Sequence, residues 1–218
     1  MRHLESFAGI GGFRRAMDLL TQDHIMDFHC IGYSEIDAKA VKTYCANYHP
    51  EVDGELAMGD IVEFTCNKNN MDNLPQFDLV TGGFPCQTFS MMGKQAGFNE
   101  DRGQMFFHII DILAVKMPRY VLLENVKNLK SHDKGRTFAR IKQELEALGY
   151  QVFTDIFNTA QFHLPQTRNR LLIFATTEPV PADFEVQFTC DNIAGLFDQV
   201  YQDLGTYHYQ SVNDILSL

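Results

Sequence analysis

No apolar run in the chain approaches the roughly 20 residues that a membrane-spanning helix needs. The opening Met1-Arg2-His3-Leu4-Glu5-Ser6 leads into a glycine-rich stretch and lacks the apolar core of a signal peptide. Both absences point to a cytoplasmic protein. Structural thiol chemistry is missing as well. The five cysteines, Cys30, Cys45, Cys66, Cys86 and Cys190, include no C-x-x-C pair, and the eight histidines form no ligand-spaced cluster with them. That argues against a zinc site and against a disulfide framework. Positive charge is scarce: the net charge is −10, whereas nucleic-acid binders draw much of their affinity from Lys and Arg set against phosphates. The scarcity is local, however. From Glu178 to Leu218 there are seven acidic residues and no lysine or arginine, so the preceding segment holds all eighteen basic residues against twenty-one acidic ones.

What is present is a globular composition, 45% hydrophobic and 12% aromatic over 218 residues, enough for one domain with a full core. Leu4-Glu5-Ser6 reads as a first strand that turns through Phe7-Ala8-Gly9-Ile10-Gly11-Gly12-Phe13 into a helix bearing Phe13, Ala16, Met17 and Leu20. Such a turn lets a cofactor approach the backbone, although it is not the dinucleotide fingerprint, because Arg14 stands where a small residue is required. A second strand, His29 to Ser34, ends in Glu35, either a ribose-hydroxyl acceptor or a solvated carboxylate beside the helix that Asp37 caps. A third short strand, Leu56-Ala57-Met58, runs into Gly59-Asp60-Ile61, where Asp60 either meets an adenine amino group or caps the next helix. Asn67 to Asn70 reads as a polar surface loop.

The strand Phe77-Asp78-Leu79-Val80 leads into Thr81-Gly82-Gly83-Phe84-Pro85-Cys86-Gln87, read as a loop whose two glycines permit unusual backbone angles. A thiol there sits beyond the carboxyl end of a strand, where α/β sheets bind ligands, though a lone cysteine also serves as a small hydrophobe. Met91 to Arg102 is glycine-bearing and irregular, of a length typical of functional loops. The next helix, Gln104 to Met117, buries Met105, Phe106, Ile109, Ile110 and Leu113, and the strand Tyr120 to Leu123 then carries Glu124 to the same rim as Cys86. A structural helix with Phe138, Ile141, Leu145 and Leu148 on its apolar face ends at Gly149, and two strands, Gln151 to Phe157 and Arg170 to Thr176, follow. Arg168 and Arg170, two apart, are expected on one side of the last strand.

Taken in order, these motifs resemble the cytosine-C5 DNA methyltransferases. The residues that carry the likeness are Phe7 to Phe13, Glu35-Ile36-Asp37, Gly59-Asp60-Ile61, Gly83-Phe84-Pro85-Cys86-Gln87-x-Phe89-Ser90, Glu124-Asn125-Val126 and Gln166-x-Arg168-x-Arg170. The resemblance implies an α/β fold of the class I S-adenosylmethionine-dependent methyltransferase type, Rossmann-like, mostly parallel with one reversed strand. It implies S-adenosylmethionine held by Phe7, Gly9, Ile10, Gly12, Glu35, Ile36, Asp60, Ile61, Gly83, Pro85 and Met105, the last standing where the family usually has leucine. It makes Cys86 the nucleophile toward carbon 6 of a flipped-out cytosine in double-stranded DNA, Glu124 the group on N3, Arg170 the donor to O2, and Arg168 its support or a phosphate contact. The Met91–Arg102 loop would close over the base. No metal is expected.

The likeness runs to about Thr176 and divides the chain into a catalytic domain, 1–177, and an acidic extension, 178–218, leading toward a recognition domain that the sequence does not contain. A split enzyme with a second, basic subunit carrying recognition and closing motifs, in a restriction–modification or phage setting, is one expectation. A truncated product is another. A transfer-RNA methyltransferase and a non-catalytic remnant that binds S-adenosylmethionine are the remaining alternatives.

Overall fold

A computed structural model describes residues 1–85 and 105–203. Along the chain these form β1 (Arg2–Ser6), α1 (Gly12–Gln22), β2 (His29–Ser34), α2 (Ala38–Tyr48), α3 (Pro50–Asp53), β3 (Leu56–Gly59), α4 (Ile61–Cys66), α5 (Lys68–Asn73), β4 (Leu79–Gly83), α6 (Met105–Lys116), β5 (Tyr120–Val126), α7 (Arg136–Ala147), β6 (Gln151–Asn158), β7 (Asn169–Thr176), α8 (Phe184–Gln187) and α9 (Cys190–Asp203). The strands join in one sheet of order β3-β2-β1-β4-β5-β7-β6. β1 to β5 run parallel, and β7 runs antiparallel to both of its neighbours. The α/β fold with a single reversed strand expected from sequence is therefore the fold observed. Strand order reverses between β1 and β4, which sets Ser6 opposite Gly82 and opens a crevice at the carboxyl ends of both.

Apolar side chains from strands and helices fill the core. Leu4, Val80, Val121, Leu123 and Ile173 from the sheet, with Ile109, Leu113, Ile141 and Leu145 from α6 and α7, have no solvent exposure. Each such side chain contributes roughly 1.5–3 kcal/mol by leaving water. The α7 face agrees with the sequence pattern, and Gly149, at φ 91°, takes the left-handed turn after it.

Three readings need correction. Gly82 and Gly83 lie inside β4, not in a loop. Both are closely approached: a Cβ on Gly82 would stand 3.1 Å from the Ser6 carbonyl, a tight contact with backbone, and one on Gly83 would stand 3.2 Å from Glu124 Oε2 at the end of a side chain. Asn67 to Asn70 is not a loop, because the Asn67 side chain accepts from the Asn69 and Asn70 N–H groups and starts α5. On α1, Ala16 faces solvent, and Arg14 is buried in company with Met17. Periodicity misses this because the charge is satisfied internally: Arg14 is ion-paired to Glu55, whose side chain is 1% exposed, and to Asp18 at 2.9 Å, with its guanidinium 5.2 Å from the centre of the Tyr48 ring.

The described part of the acidic segment packs against the reversed edge of the sheet. Phe184 meets Phe153 at 4.7 Å and Phe174 at 5.7 Å, Phe188 meets Phe157 and Phe174 at 5.7 Å each, and Phe197 stands edge-on to Phe162 at 5.4 Å. The Cys190 N–H donates to Asp155 Oδ2 at 2.7 Å, so the start of α9 is bonded to β6. No described helix is long and apolar enough to cross a membrane.

Removing the cation from the buried cluster leaves Glu55 uncompensated. Arg14→Ala should lower the free energy of unfolding by about 3–5 kcal/mol in urea titrations, and adding Glu55→Gln should restore much of the loss.

Candidate active site

The turn from β1 into α1 is held open by its own backbone. Phe7, Gly9 and Gly11 have φ of 55°, 56° and 90°. Glycine is obligatory at position 11, where a Cβ would come within 2.2 Å of the Tyr48 ring, and the Tyr48 hydroxyl donates to the Gly11 carbonyl at 2.8 Å. The turn is tied to the end of β2 by Ala8 N–H to the Ser34 carbonyl and by Gly9 N–H to Glu35 Oε2, at 2.9 and 2.8 Å. Glu35 Oε1 accepts from the Ile36 and Asp37 N–H groups, both at 2.8 Å. With the backbone secured in this way, Ile10 and Ile36 are left 62% and 75% exposed on the rim of the crevice. Gly12 opens α1 with open space where a side chain would stand.

At the end of β3, Asp60 caps α4 by accepting the Val62 N–H on Oδ1 at 2.8 Å. Ile61 is 3% exposed and belongs to the core. The first turn of α4 directs Ile61 inward, and the exposed apolar groups of the rim are Ile10 and Ile36.

The other half of the site forms where β4, β5 and β7 lie side by side. Gly83 pairs with Glu124, and Glu124 pairs with Leu172 on the opposite flank. Arg170 stands opposite Val126, so Arg170 and Glu124 share one face of the sheet as a diagonal pair within reach of long side chains. Arg170 Nε donates to Glu124 Oε1 at 2.5 Å, with both side chains about three-quarters buried, at 23% and 29% exposure. Asn125, on the opposite face and 2% exposed, donates from Nδ2 to the Phe84 carbonyl at 2.8 Å. Phe84 is 3% exposed and packs on Phe106 of α6, ring centres 5.5 Å apart. The chain thus reaches Pro85, which is exposed, along a fixed path. Cys86 and the Met91–Arg102 loop lie outside the described residues. Met105 starts α6 and packs against the core.

Arg168 does not join Arg170. It precedes the first residue of β7 and is exposed, and its backbone is clamped by Thr159, whose hydroxyl accepts the Arg168 N–H at 3.1 Å. The alternation expected of a strand fails here because the strand has not yet begun.

Sequence reasoning passed over two further residues. Asn125 was read only as part of a motif. Glu5 was read as an ordinary strand residue, yet it is 1% exposed beneath the turn, with Oε1 accepting the Phe13 N–H at 3.2 Å. Its isolation as a carboxylate in a buried parallel strand was the available signal. Loss of hydration pushes its pKa up from 4.5 to about 7, against opposing help from the Phe13 amide and Arg14. Among the described residues no His, Cys, Asp and Glu cluster is suited to a metal ion.

A crevice walled by a glycine turn, with a carboxylate–guanidinium pair beside it, is matched by a profile of the C-5 cytosine-specific DNA methylase family over residues 1–217. The chain belongs to that family. The Type II methyltransferase M1.ScrFI of Lactococcus lactis subsp. cremoris is 43% identical over 176 residues, covering 78% of this chain and 40% of that protein. The orphan methyltransferase M.Rho11sI of Bacillus phage rho11s is 38% identical over 178 residues, covering 82% and 33%. Among solved structures, the S. pombe Dnmt2 methyltransferase superimposes with a TM-score of 0.66 at 22% identity, over 90% of this chain and 54% of that one. The last likeness concerns the fold. The matched region is 40% of the length of the first of these methylases and 33% of the second.

Glu5 gives stability a sign with pH. Below about 4.5 it is protonated whether folded or unfolded; between 4.5 and about 7 only the unfolded chain releases the proton. Stability should therefore fall by about 3 kcal/mol across that window as pH rises, then level off. Glu5→Gln should remove this component, so the difference between wild type and variant in denaturant titrations should be near zero at pH 4 and favour the variant at pH 8.

Proposed function

We propose that the chain is the catalytic portion of a DNA cytosine-C5 methyltransferase, acting on a cytosine flipped out of double-stranded DNA through a covalent bond between Cys86 and carbon 6. The observation that carries this reading is the Glu124–Arg170 pair on β5 and β7, beside the end of β4 from which the chain continues to Cys86. When bound, S-adenosylmethionine supplies a methyl group on a sulfonium centre.

The crevice has the features such a nucleoside requires. Ile10 and Ile36 offer apolar surface for the adenine and its ribose. Glu35 and Asp60 each keep acceptor capacity, since Asp60 Oδ2 takes no hydrogen bond among the described residues and Glu35 Oε2 takes one. Gly9, Gly12 and Gly83 leave room for close approach, with Phe7, Pro85 and Met105 along the wall.

Attack by the Cys86 thiolate on carbon 6 breaks the 5,6 double bond and drives negative charge toward N3 and O2. Glu124, ion-paired to Arg170 before the base enters, takes up a proton with the base and passes it to N3, while Arg170 stabilises O2. Arg170 is oriented for this: its Nη1 donates to the Asn169 carbonyl at 2.9 Å and its Nε to Glu124. Carbon 5, made nucleophilic by the addition, accepts the methyl group as its bond to sulfur breaks, so that the donor would leave as a neutral thioether. Loss of the carbon 5 proton to a base then re-forms the double bond, releases the Cys86 thiolate, and returns the N3 proton to Glu124. Arg168, exposed beside the site, is suited to a phosphate. Selection of the DNA sequence, in this reading, is made outside the described residues, in the same polypeptide or a second subunit. The names of the bacterial relatives support a restriction–modification setting.

The test uses a duplex with 5-fluorocytosine at the target, where fluorine cannot leave carbon 5 as the proton does. Wild-type protein with S-adenosylmethionine should give an adduct resistant to denaturation, and Cys86→Ser should give none. Glu124→Gln should slow adduct formation by about 10²–10⁴-fold. An active wild-type preparation that methylates DNA without any adduct would falsify the covalent route, and methylation of transfer RNA in place of DNA would reassign the substrate.

A further inference from the structure

Six of the eighteen lysines and arginines fall within residues 127–142, against one of the twenty-eight acidic residues, Asp133. On a chain of net charge −10 this is the strongest positive segment, and it begins at the site. Lys127 follows Val126, the strand partner of Arg170. Lys127–Lys130 forms a 3₁₀ turn anchored by Leu129, which has no exposure. In such a turn residues i and i+3 eclipse, so Lys127 and Lys130 leave on one side, roughly 6 Å apart along the axis. Three consecutive residues then take left-handed backbone, Asp133 at φ 49°, Lys134 at 55° and Gly135 at 84°. The first two are strained there and persist because neighbours hold them: Arg136 is ion-paired to Asp133, and His132 Nδ1 bonds Thr137 Oγ1 at 2.7 Å.

The charges divide into two groups. Arg136, Arg140 and Lys142 are engaged by Asp133, Glu144 and Glu146. Lys127, Lys130 and Lys134 are exposed and have no carboxylate partner among the described residues. We infer that Lys127, Lys130 and Lys134 form a track for the sugar–phosphate backbone of the DNA duplex, running away from the Glu124–Arg170 pair along the 127–134 segment. The inference rests on the proposed reading of the site as one that acts on DNA. Exposed lysines on a preset backbone suit phosphates because the charge is presented with little ordering to be done on binding. The track also explains how so acidic a chain approaches a polyanion: the repulsion is spread, and the attraction is concentrated beside the reacting base.

The experiment is fluorescence anisotropy with a short duplex lacking any special sequence, titrated with the wild-type protein at several salt concentrations. Each phosphate neutralised contributes about 0.9 to the slope of log affinity against log salt. Lys127→Gln/Lys130→Gln/Lys134→Gln should make the slope shallower by about 2 to 3, and each single substitution by about 1. A control, Lys39→Gln/Lys42→Gln/Lys68→Gln, removes the same charge from exposed positions near the β2–β3 edge and should leave the slope close to wild type. Equal changes in both triple variants, no change in the first, or a wild type that binds no duplex would each overturn the track. Fluorocytosine adduct formation separates the two readings. Adducts with an unchanged slope remove the track alone, and a lysine-dependent slope without adducts removes the chemistry alone.

Discussion

An ion pair between neighbouring strands, Glu124 with Arg170, governs how one half of the candidate site is built. It exists because β7 runs backwards. In an all-parallel sheet the residue following β5's neighbour would arrive from a distant helix; the reversed strand instead starts at the rim where β5 ends and brings a guanidinium there from its second residue. The diagonal register gives Nε to one carboxylate oxygen and leaves the other turned toward Gly83, where a Cβ would stand 3.2 Å from it. Beyond Gly83, Asn125 Nδ2 holds the Phe84 carbonyl at 2.8 Å and sets the chain's course to Pro85.

The glycine-turn side of the crevice is built differently, from backbone. Its turn is fixed by amide contacts to Ser34 and Glu35 and by the Tyr48 hydroxyl, so side chains at the rim are spared for a ligand. Beneath it lies an unusual quantity of charge. Glu5 and the Arg14–Glu55 pair sit where the pattern of a parallel strand and its helix would suggest hydrocarbon. Such groups are costly to bury and costly to unpair, and here they hold α1 against the edge of the sheet through Asp18, Glu55 and the Tyr48 ring.

Charge is sorted along the length of the chain. Phe184 and Phe188 fix the start of the acidic segment to β6 and β7, while Lys127, Lys130 and Lys134 follow directly on the end of β5. A net charge taken over the whole molecule hides this uneven distribution along the sequence.

The order of motifs was enough to determine the strand sequence, to set Glu35, Asp60 and Glu124 at strand ends, and to carry the family resemblance, which in turn implied the reversed strand, since these motifs are local patterns that survive without knowledge of neighbours. Tertiary structure alone decided what those residues touch. Gly82 and Gly83 looked like loop glycines, and only the pairing of β4 between β1 and β5 reveals that they are strand residues closely approached by their neighbours. Arg14 is buried on a helix face where periodicity alone suggests hydrocarbon, because burial is set by what lies opposite, here a carboxylate forty-one positions away. Arg168 and Arg170 are two apart in sequence yet part company where the ladder begins, a boundary that hydrogen bonds to β6 fix and that spacing cannot encode.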